Sequence, residues 1–134
     1  MTYKPIRYRI YPNDAQRDML MRHFGSTRWV YNRYISEADR LYFKLGQYIK
    51  RDEFIVDLAR LKKTEFPWLA EVNSQSLQMA ARNAATAYER FFKGSAKHPR
   101  FKSKHSKQSF QCPQHVKVLF NESSSKYGRI VLPK

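Results

Sequence analysis

The sequence is poor in cysteine, in acidic side chains and in long apolar runs. Its one cysteine, Cys112, cannot form an internal disulfide and has no CxxC partner. No stretch approaches the roughly 20 apolar residues of a membrane-spanning helix, and the N-terminus lacks the apolar core of a signal peptide. These absences argue against a disulfide scaffold and against a membrane partner, and they predict a cytosolic or nucleoid-associated protein.

The shortage of acidic residues leaves a large positive charge that is unevenly distributed. Of 134 residues, 26 are Lys or Arg and 11 are Asp or Glu, which gives a net charge of +15. Residues 1–50 carry ten basic and four acidic side chains, residues 51–89 carry five and six, and residues 90–134 carry eleven and one. A neutral middle between two cationic ends predicts a polyanionic partner.

The most cationic stretch is residues 90–110 (RFFKGSAKHPRFKSKHSKQSF), which we call the basic strip. It contains seven Lys or Arg, two His and no acidic residue, and four phenylalanines interleave the charge. Gly94 and Pro99 interrupt any regular element. Such a basic, aromatic loop is suited to lie along a phosphate backbone. The alternative is a solvated, flexible segment without a partner.

Hydrophobic periodicity predicts four helices after an N-terminal strand. Alternating side chains over residues 3–11 predict a half-buried strand with arginines on its outer face. A capping box at Asn13 begins the first helix and Gly25 ends it. Before the fourth helix, Pro67 predicts a turn that buries Trp68. The four predicted helices span residues 14–24, 26–45, 51–63 and 74–93.

The fourth predicted helix has two contrasting faces. One is apolar and rich in alanine, which permits close approach of another helix: Leu77, Ala80, Ala81, Ala84, Tyr88 and Phe91. The opposite face is polar: Gln75, Gln78, Arg82, Thr86, Arg90 and Lys93. This polar face is either the solvated side of an amphipathic helix or a surface directed at nucleic acid, where Gln can pair with a base edge and Arg with a phosphate or a guanine.

Two short strands are predicted after the basic strip, at residues 116–120 and 129–132, joined through the turn-rich residues 121–128. The strand at residues 3–11 has no neighbour in sequence, so we expect it to pair with this hairpin. The predicted fold class is therefore α+β. A four-helix domain would be inserted in a small β-barrel or sheet made of an N-terminal strand and C-terminal strands.

No catalytic or metal-binding constellation can be assembled from the sequence. Its aspartate pairs lie at predicted helix starts or on exposed faces, where carboxylates favour the helix dipole. The four histidines are scattered and lack metal-ligand spacing among themselves or with Cys112. There is no phosphate-binding glycine loop. We therefore expect no cofactor, no metal and no small-molecule substrate for this chain.

Short motifs spread along the whole chain form an ordered set. They are YRIYP at 8–12, FG at 24–25, RWVYN at 28–32, LKK at 61–63, PWL at 67–69, SLQ at 76–78, FFKG at 91–94, PRFK at 99–102, PQ at 113–114 and LPK at 132–134. Each motif is weak alone. Together they resemble the N-terminal region of the TnpB (OrfB) proteins of bacterial insertion sequences, which have been described as transposases.

The resemblance implies a fold and a function. In this family a wedge β-barrel is interrupted by a helical recognition domain, and the region grips a guide RNA and recognises a DNA motif beside the target. The domains here would be a first wedge strand at 1–11, a helix-turn-helix-like recognition domain at 12–94, and a basic connector with a wedge hairpin at 95–134. Full-length members are RNA-guided DNA endonucleases. Their RuvC-like nuclease domain and zinc finger lie beyond this sequence, so we expect binding without cleavage in the bacterial cytoplasm.

The resemblance also implies contacts at particular residues. Gln78, and Ser74 one turn before it, match helix positions that recognise the target-adjacent motif, and Gln114 lies near the family's second contact loop. The PRFK loop with Lys93 and Lys97 matches a connector that grips the backbone. The predicted nucleic-acid-binding residues are Arg28, Asn32, Ser74, Gln78, Arg82, Arg90, Lys93, Lys97, Arg100, Lys102, Lys104, Lys107 and Gln114. Trp29, Tyr31 and Tyr88 are expected in the core.

Two other functions stay open at this point. One is a regulator that binds duplex DNA through a helix-turn-helix. The other is a decayed transposase fragment without activity, or a helical domain that binds a protein partner. A preference for structured RNA over duplex DNA favours the first function, equal binding to duplex DNA favours the regulator, and no binding below micromolar concentration favours the inactive fragment.

Overall fold

The computed structural model describes residues 3–120 and 128–133. Its elements, in chain order, are α1 (Asp14–Asp39), a π-helical turn (Arg40–Lys44), α2 (Arg51–Lys63), a 3₁₀ turn (Pro67–Glu71), α3 (Ser74–Phe92), β1 (Lys117–Phe120) and β2 (Gly128–Val131). None of the helices in these residues is both long and apolar enough to cross a bilayer.

The first helix runs through the point where a break was predicted. The capping box is confirmed: the Asn13 side chain accepts from the Gln16 backbone N–H at 2.9 Å, and the Gln16 side chain accepts from that of Asn13 at 2.9 Å. The break at Gly25 is wrong. Thr27, expected near a helix start, is buried in mid-helix, and its hydroxyl donates to the His23 carbonyl at 2.8 Å. Because the helix itself satisfies this hydroxyl, nothing there favours a cap, and the described residues form three α-helices rather than four.

The three helices enclose one core in which α3 contacts both α1 and α2. The predicted apolar face of α3 is confirmed, since Leu77, Ala81, Ala84 and Tyr88 are all buried. Ala81 and Ala84 expose none of their surface, so these small side chains allow α1 and α3 to approach closely. Burial of Tyr34 within this core raises its pKa to about 12.

The turn at Pro67 was predicted correctly, but the buried residue was not. Leu69 is fully buried, whereas Trp68 exposes 39% of its surface. Trp68 instead packs edge-on against Trp29, with ring centroids 5.4 Å apart. Ring quadrupoles favour this edge-to-face arrangement, and it does not require that either ring be fully buried. Trp29 is itself only half-buried, packed against the outside of the core.

The sheet is smaller than predicted. The C-terminal hairpin is confirmed, with β1 and β2 antiparallel and Lys117 opposite Val131; most of its predicted loop, residues 121–127, lies outside the described residues. The predicted strand at residues 3–11 is wrong, because these residues form no strand and lie outside the β1–β2 sheet, and Tyr3, Ile6 and Tyr8 are exposed. The two strands have four residues each, and β2 is exposed throughout, so this short hairpin offers little apolar surface to a third strand. The class α+β holds, but a four-helix domain within a barrel is not formed in the described residues.

Candidate nucleic-acid interface

The basic strip runs back along α1 rather than extending into solvent. Its contacts with α1, in order, join His98 to Asp39 (2.7 Å), Lys102 to Asn32 (2.8 and 2.7 Å) and Phe110 to Phe24 (ring centroids 5.3 Å). As the strip advances, its partners move towards the start of α1, so the two run antiparallel. These contacts do not fit the alternative of an unattached, flexible segment.

The Asn32 side chain holds the middle of the strip through both of its polar atoms. Its Nδ2 donates to the Lys102 carbonyl at 2.8 Å, and its Oδ1 accepts from the Lys102 backbone N–H at 2.7 Å. The amide predicted to contact nucleic acid is thus engaged by the chain itself. Its contribution to an interface is to fix the backbone from which the Lys102 side chain projects.

Replacing Asn32 with Ala should loosen the strip without melting the helices. We expect the free energy of unfolding to fall by about 1–2 kcal/mol, since two hydrogen bonds are removed. Urea unfolding followed by circular dichroism measures this change, and hydrogen exchange at residues 100–104 should become faster. The Asn83→Ala variant is the control, because Asn83 makes a single exposed bond to Gln111. If hydrogen exchange at residues 100–104 is equally fast in both variants, the Asn32 side chain does not hold the strip.

Hydrogen bonds that involve no acidic side chain attach the end of the strip and the residues after it to the helices. Arg28 Nη1 donates to Gln108 Oε1 at 3.2 Å, which ties the strip to α1. Three further pairs join α3: Asn83 to Gln111 (2.7 Å), Ser76 to Cys112 (3.6 Å) and Gln75 to Gln114 (3.0 Å). Because these attachments use no carboxylate, they leave the cations of the strip unneutralised.

The cations of the strip face solvent. Five of them are exposed: Lys97, Arg100, Lys102, Lys104 and Lys107. Within residues 3–120 and 128–133, none of these five forms an ion pair with an acidic side chain. An exposed row of unpaired cations on a fixed backbone has the electrostatic footprint of a phosphate-binding surface.

The start of α3 gathers the residues predicted to contact bases. Ser74 is exposed in the first turn, Gln78 is half-buried one turn later, and the bond from Gln75 brings Gln114 to the same end of the helix. Arg82, Arg90 and Lys93 follow along the exposed side of α3, whose first turn is capped by Asn73. Most of the predicted site residues thus lie either around the start of α3 or along the strip, while Arg28 and Asn32 lie on α1 where they hold the strip.

Asp39 is a structural residue that the sequence analysis missed. Its Oδ1 accepts from the Tyr88 hydroxyl at 2.5 Å and lies 2.7 Å from His98 Nε2, so one carboxylate joins α1, α3 and the strip. Burial, followed by the hydrogen bond to Asp39, raises the pKa of Tyr88 and keeps it a donor. A sequence signal existed, because Glu37 and Asp39 are the only acids in residues 19–51.

A cleft of about 270 Å³ opens where the strip crosses the two helices. Arg28, Tyr31, Lys102 and Lys107 contribute to its walls, and none of the acidic residues that the structure describes does. Lys102 Nζ lies 4.3 Å from the centre of the Tyr31 ring, a cation–π distance. Tyr31 was expected in the core but is half-buried on this wall, where burial raises its pKa. No group of three His, Cys, Asp or Glu side chains suited to a metal occurs among the described residues.

Comparison with known proteins places these features in a family. Residues 1–46 match the family model of the helix-turn-helix domain of IS605-type OrfB proteins. Over this range the described residues form one continuous helix rather than two. The chain is 35% identical over 132 residues to a protein of Streptomyces pristinaespiralis named as a candidate RNA-guided DNA endonuclease, covering 98% of this chain and 32% of that protein.

Two further relatives differ in length. InsQ of Escherichia coli K12, also named as a candidate RNA-guided DNA endonuclease, is 33% identical over 130 residues, which are 96% of this chain and 31% of InsQ. The virulence protein VsdF of Salmonella dublin is 31% identical over 108 residues, which are 73% of this chain and 91% of VsdF. The chain therefore spans about a third of the length of the two endonuclease relatives and most of the length of the third.

Proposed function

Because the chain belongs to the OrfB (TnpB) family of insertion-sequence proteins and carries that family's helix-turn-helix domain at its N-terminus, we propose that it is the nucleic-acid-binding part of an RNA-guided DNA endonuclease. Its partners would be a structured guide RNA and target DNA. The observation that carries the proposal is the basic strip, which hydrogen bonds fix to α1 and α3 while its exposed cations form no ion pair among the described residues.

The residues along the strip and those at the start of α3 suggest two separate roles in binding. The strip would grip phosphates, which supply affinity but little sequence information. Ser74, Gln78 and Gln114, gathered at the start of α3, would contact base edges of the motif beside the target. We propose that cleavage belongs to the part of the longer relatives that this chain does not span.

Binding assays with two ligands test this function. We expect the chain to bind structured RNA from the end of its insertion sequence more tightly than a random DNA duplex of equal length. Equal affinity for both would favour a duplex-binding regulator, although the unbroken α1 argues against helix-turn-helix docking through residues 14–39. Binding to neither below micromolar concentration would favour an inactive fragment.

Replacing Gln78 with Ala should change which DNA sequences are preferred. We expect a loss of about 1–3 kcal/mol for the preferred target-adjacent motif and little change for other sequences, since alanine cannot form a bidentate pair with a base. Selection from a randomised duplex library, in the presence of guide RNA, measures the preference. Gln47→Ala is the matched control, because Gln47 is exposed and lies outside α3. A uniform loss across the library would argue against base contact by Gln78.

A further inference from the structure

We propose that the cleft between α1, α3 and the basic strip binds one unpaired nucleotide of the bound strand, with its phosphate held by Arg28, Lys102 and Lys107. This inference rests on the proposed nucleic-acid-binding function. It specifies that function further, because it says that the strip selects nucleic acid with unpaired nucleotides. The cleft opens on the cationic surface, and two of the exposed lysines of the strip, Lys102 and Lys107, line it.

The charge of the cleft selects an anion. Three cations and no acid contribute to its walls. Arg28 gives one guanidinium N–H to Gln108, which orients the group and leaves its other donors for a phosphate. Lys102 is held against the Tyr31 ring at 4.3 Å, so its ammonium also lies at the cleft. An anion entering here would meet positive charge that no described carboxylate neutralises.

The other walls suit the remaining parts of a nucleotide. The rings of Phe24, Tyr31 and Phe110 supply aromatic surface, and Ser103, Ser106 and Ser109 supply small polar side chains on the strip. Aromatic rings stack on any base, whereas hydroxyls can bond to a sugar or a base edge. At about 270 Å³, the cleft is slightly smaller than the roughly 300–1,000 Å³ of pockets for drug-sized ligands, so it accommodates one nucleotide and not several.

The concave shape excludes a paired nucleotide. In a duplex the bases are stacked and paired, so only the backbone could touch the rim of the cleft. A bulged, looped or single-stranded nucleotide can turn outward and enter. The strip would therefore distinguish structured RNA containing unpaired nucleotides from a continuous duplex, a selectivity that a row of lysines alone would not provide.

A substitution that fills the cleft without changing charge tests this directly. Ser109→Leu places an apolar side chain on the wall, and it removes no side-chain hydrogen bond seen among the described residues. Ser36→Leu is the control, on an exposed position of α1 away from the cleft. The probes are a short RNA duplex with one bulged 2-aminopurine nucleotide and the same duplex without the bulge, and circular dichroism confirms that both variants fold.

We expect Ser109→Leu to weaken binding of the bulged RNA by about tenfold, the equivalent of removing one stacked base, and to leave the continuous duplex unchanged. The fluorescence of the bulged base should change on binding to the natural chain and to Ser36→Leu, but not to Ser109→Leu. As a second variant, Lys107→Ala should weaken bulged RNA more than Lys63→Ala does.

Two results would overturn the inference, and they can be told apart. If Ser109→Leu binds both RNAs as well as Ser36→Leu does, the cleft takes no nucleotide, and the proposed function survives because nucleic acid still binds. If the natural chain binds neither RNA, both the cleft and the proposed function are refuted.

Discussion

A chain in which Arg100, Lys102 and Lys104 are all replaced by Ala should bind nucleic acid about 100- to 500-fold more weakly at 0.1 M salt. The plot of log affinity against log salt concentration should become shallower by about 2 units for a single strand and about 3 for a duplex, because each phosphate contact contributes roughly 0.7 or 0.9. Fluorescence anisotropy at several salt concentrations measures both quantities.

The structure explains why this substitution should leave the fold intact. The bonds between Lys102 and Asn32 use the Lys102 backbone, which alanine retains. All three side chains are exposed and none is paired with a described acid. The substitution does remove the interaction of the Lys102 ammonium with the Tyr31 ring, which is worth about 0.5–1 kcal/mol at an exposed site.

The control must remove the same charge elsewhere. Arg17, Lys44 and Lys63 are one arginine and two lysines, all exposed on the helical part and outside the strip. Their triple alanine variant has the same net charge as the strip variant, so long-range attraction falls equally in both. If the two variants show the same salt dependence, the strip has no special role and general positive charge accounts for binding.

The helices were predictable because their signals are local. The periodicity over α2 and α3 and the capping box at Asn13 depend on residues within four positions of one another, and they gave the bounds of α2 and α3 and the start of α1 closely. The false break at Gly25 and the false strand at residues 3–11 depended on distant partners. Gly25 sits within a helix whose core contacts outweigh its low propensity, and residues 3–11 do not join the sheet that the described residues form.

The candidate site divides in the same way. Composition alone identified the exposed cations of the strip, since a run of like charges without acids must face solvent or an anion. The attachments of the strip could not be predicted. Each attachment joins one amide or one carboxylate to a residue that is 28 to 80 positions away in the sequence. Such isolated pairs produce no periodic pattern that sequence analysis could detect. Asn32 was therefore assigned to nucleic acid, although its amide holds the strip.

Replacing Asp39 with Ala should lower the free energy of unfolding by about 2–4 kcal/mol, more than replacing Asn32 does. The Tyr88 hydroxyl is buried with its ring and has Asp39 as its partner at 2.5 Å. Removing the carboxylate leaves that hydroxyl unsatisfied and detaches His98 from α1 in the same step. Urea unfolding measures the loss, and Asp57→Ala, which breaks an exposed pair with Arg60, should cost under about 1 kcal/mol.

A double substitution separates the two roles of Asp39. Tyr88→Phe removes the hydroxyl that Asp39→Ala would orphan, so the Asp39→Ala/Tyr88→Phe chain should recover part of the missing stability. It should not recover nucleic-acid affinity, because His98 stays detached and the start of the strip is no longer positioned on α1. If both affinity and stability recover, nucleic-acid binding by the strip requires a folded core but not the attachment at His98. Recovery of stability alone would mean that binding depends on the strip being attached at His98.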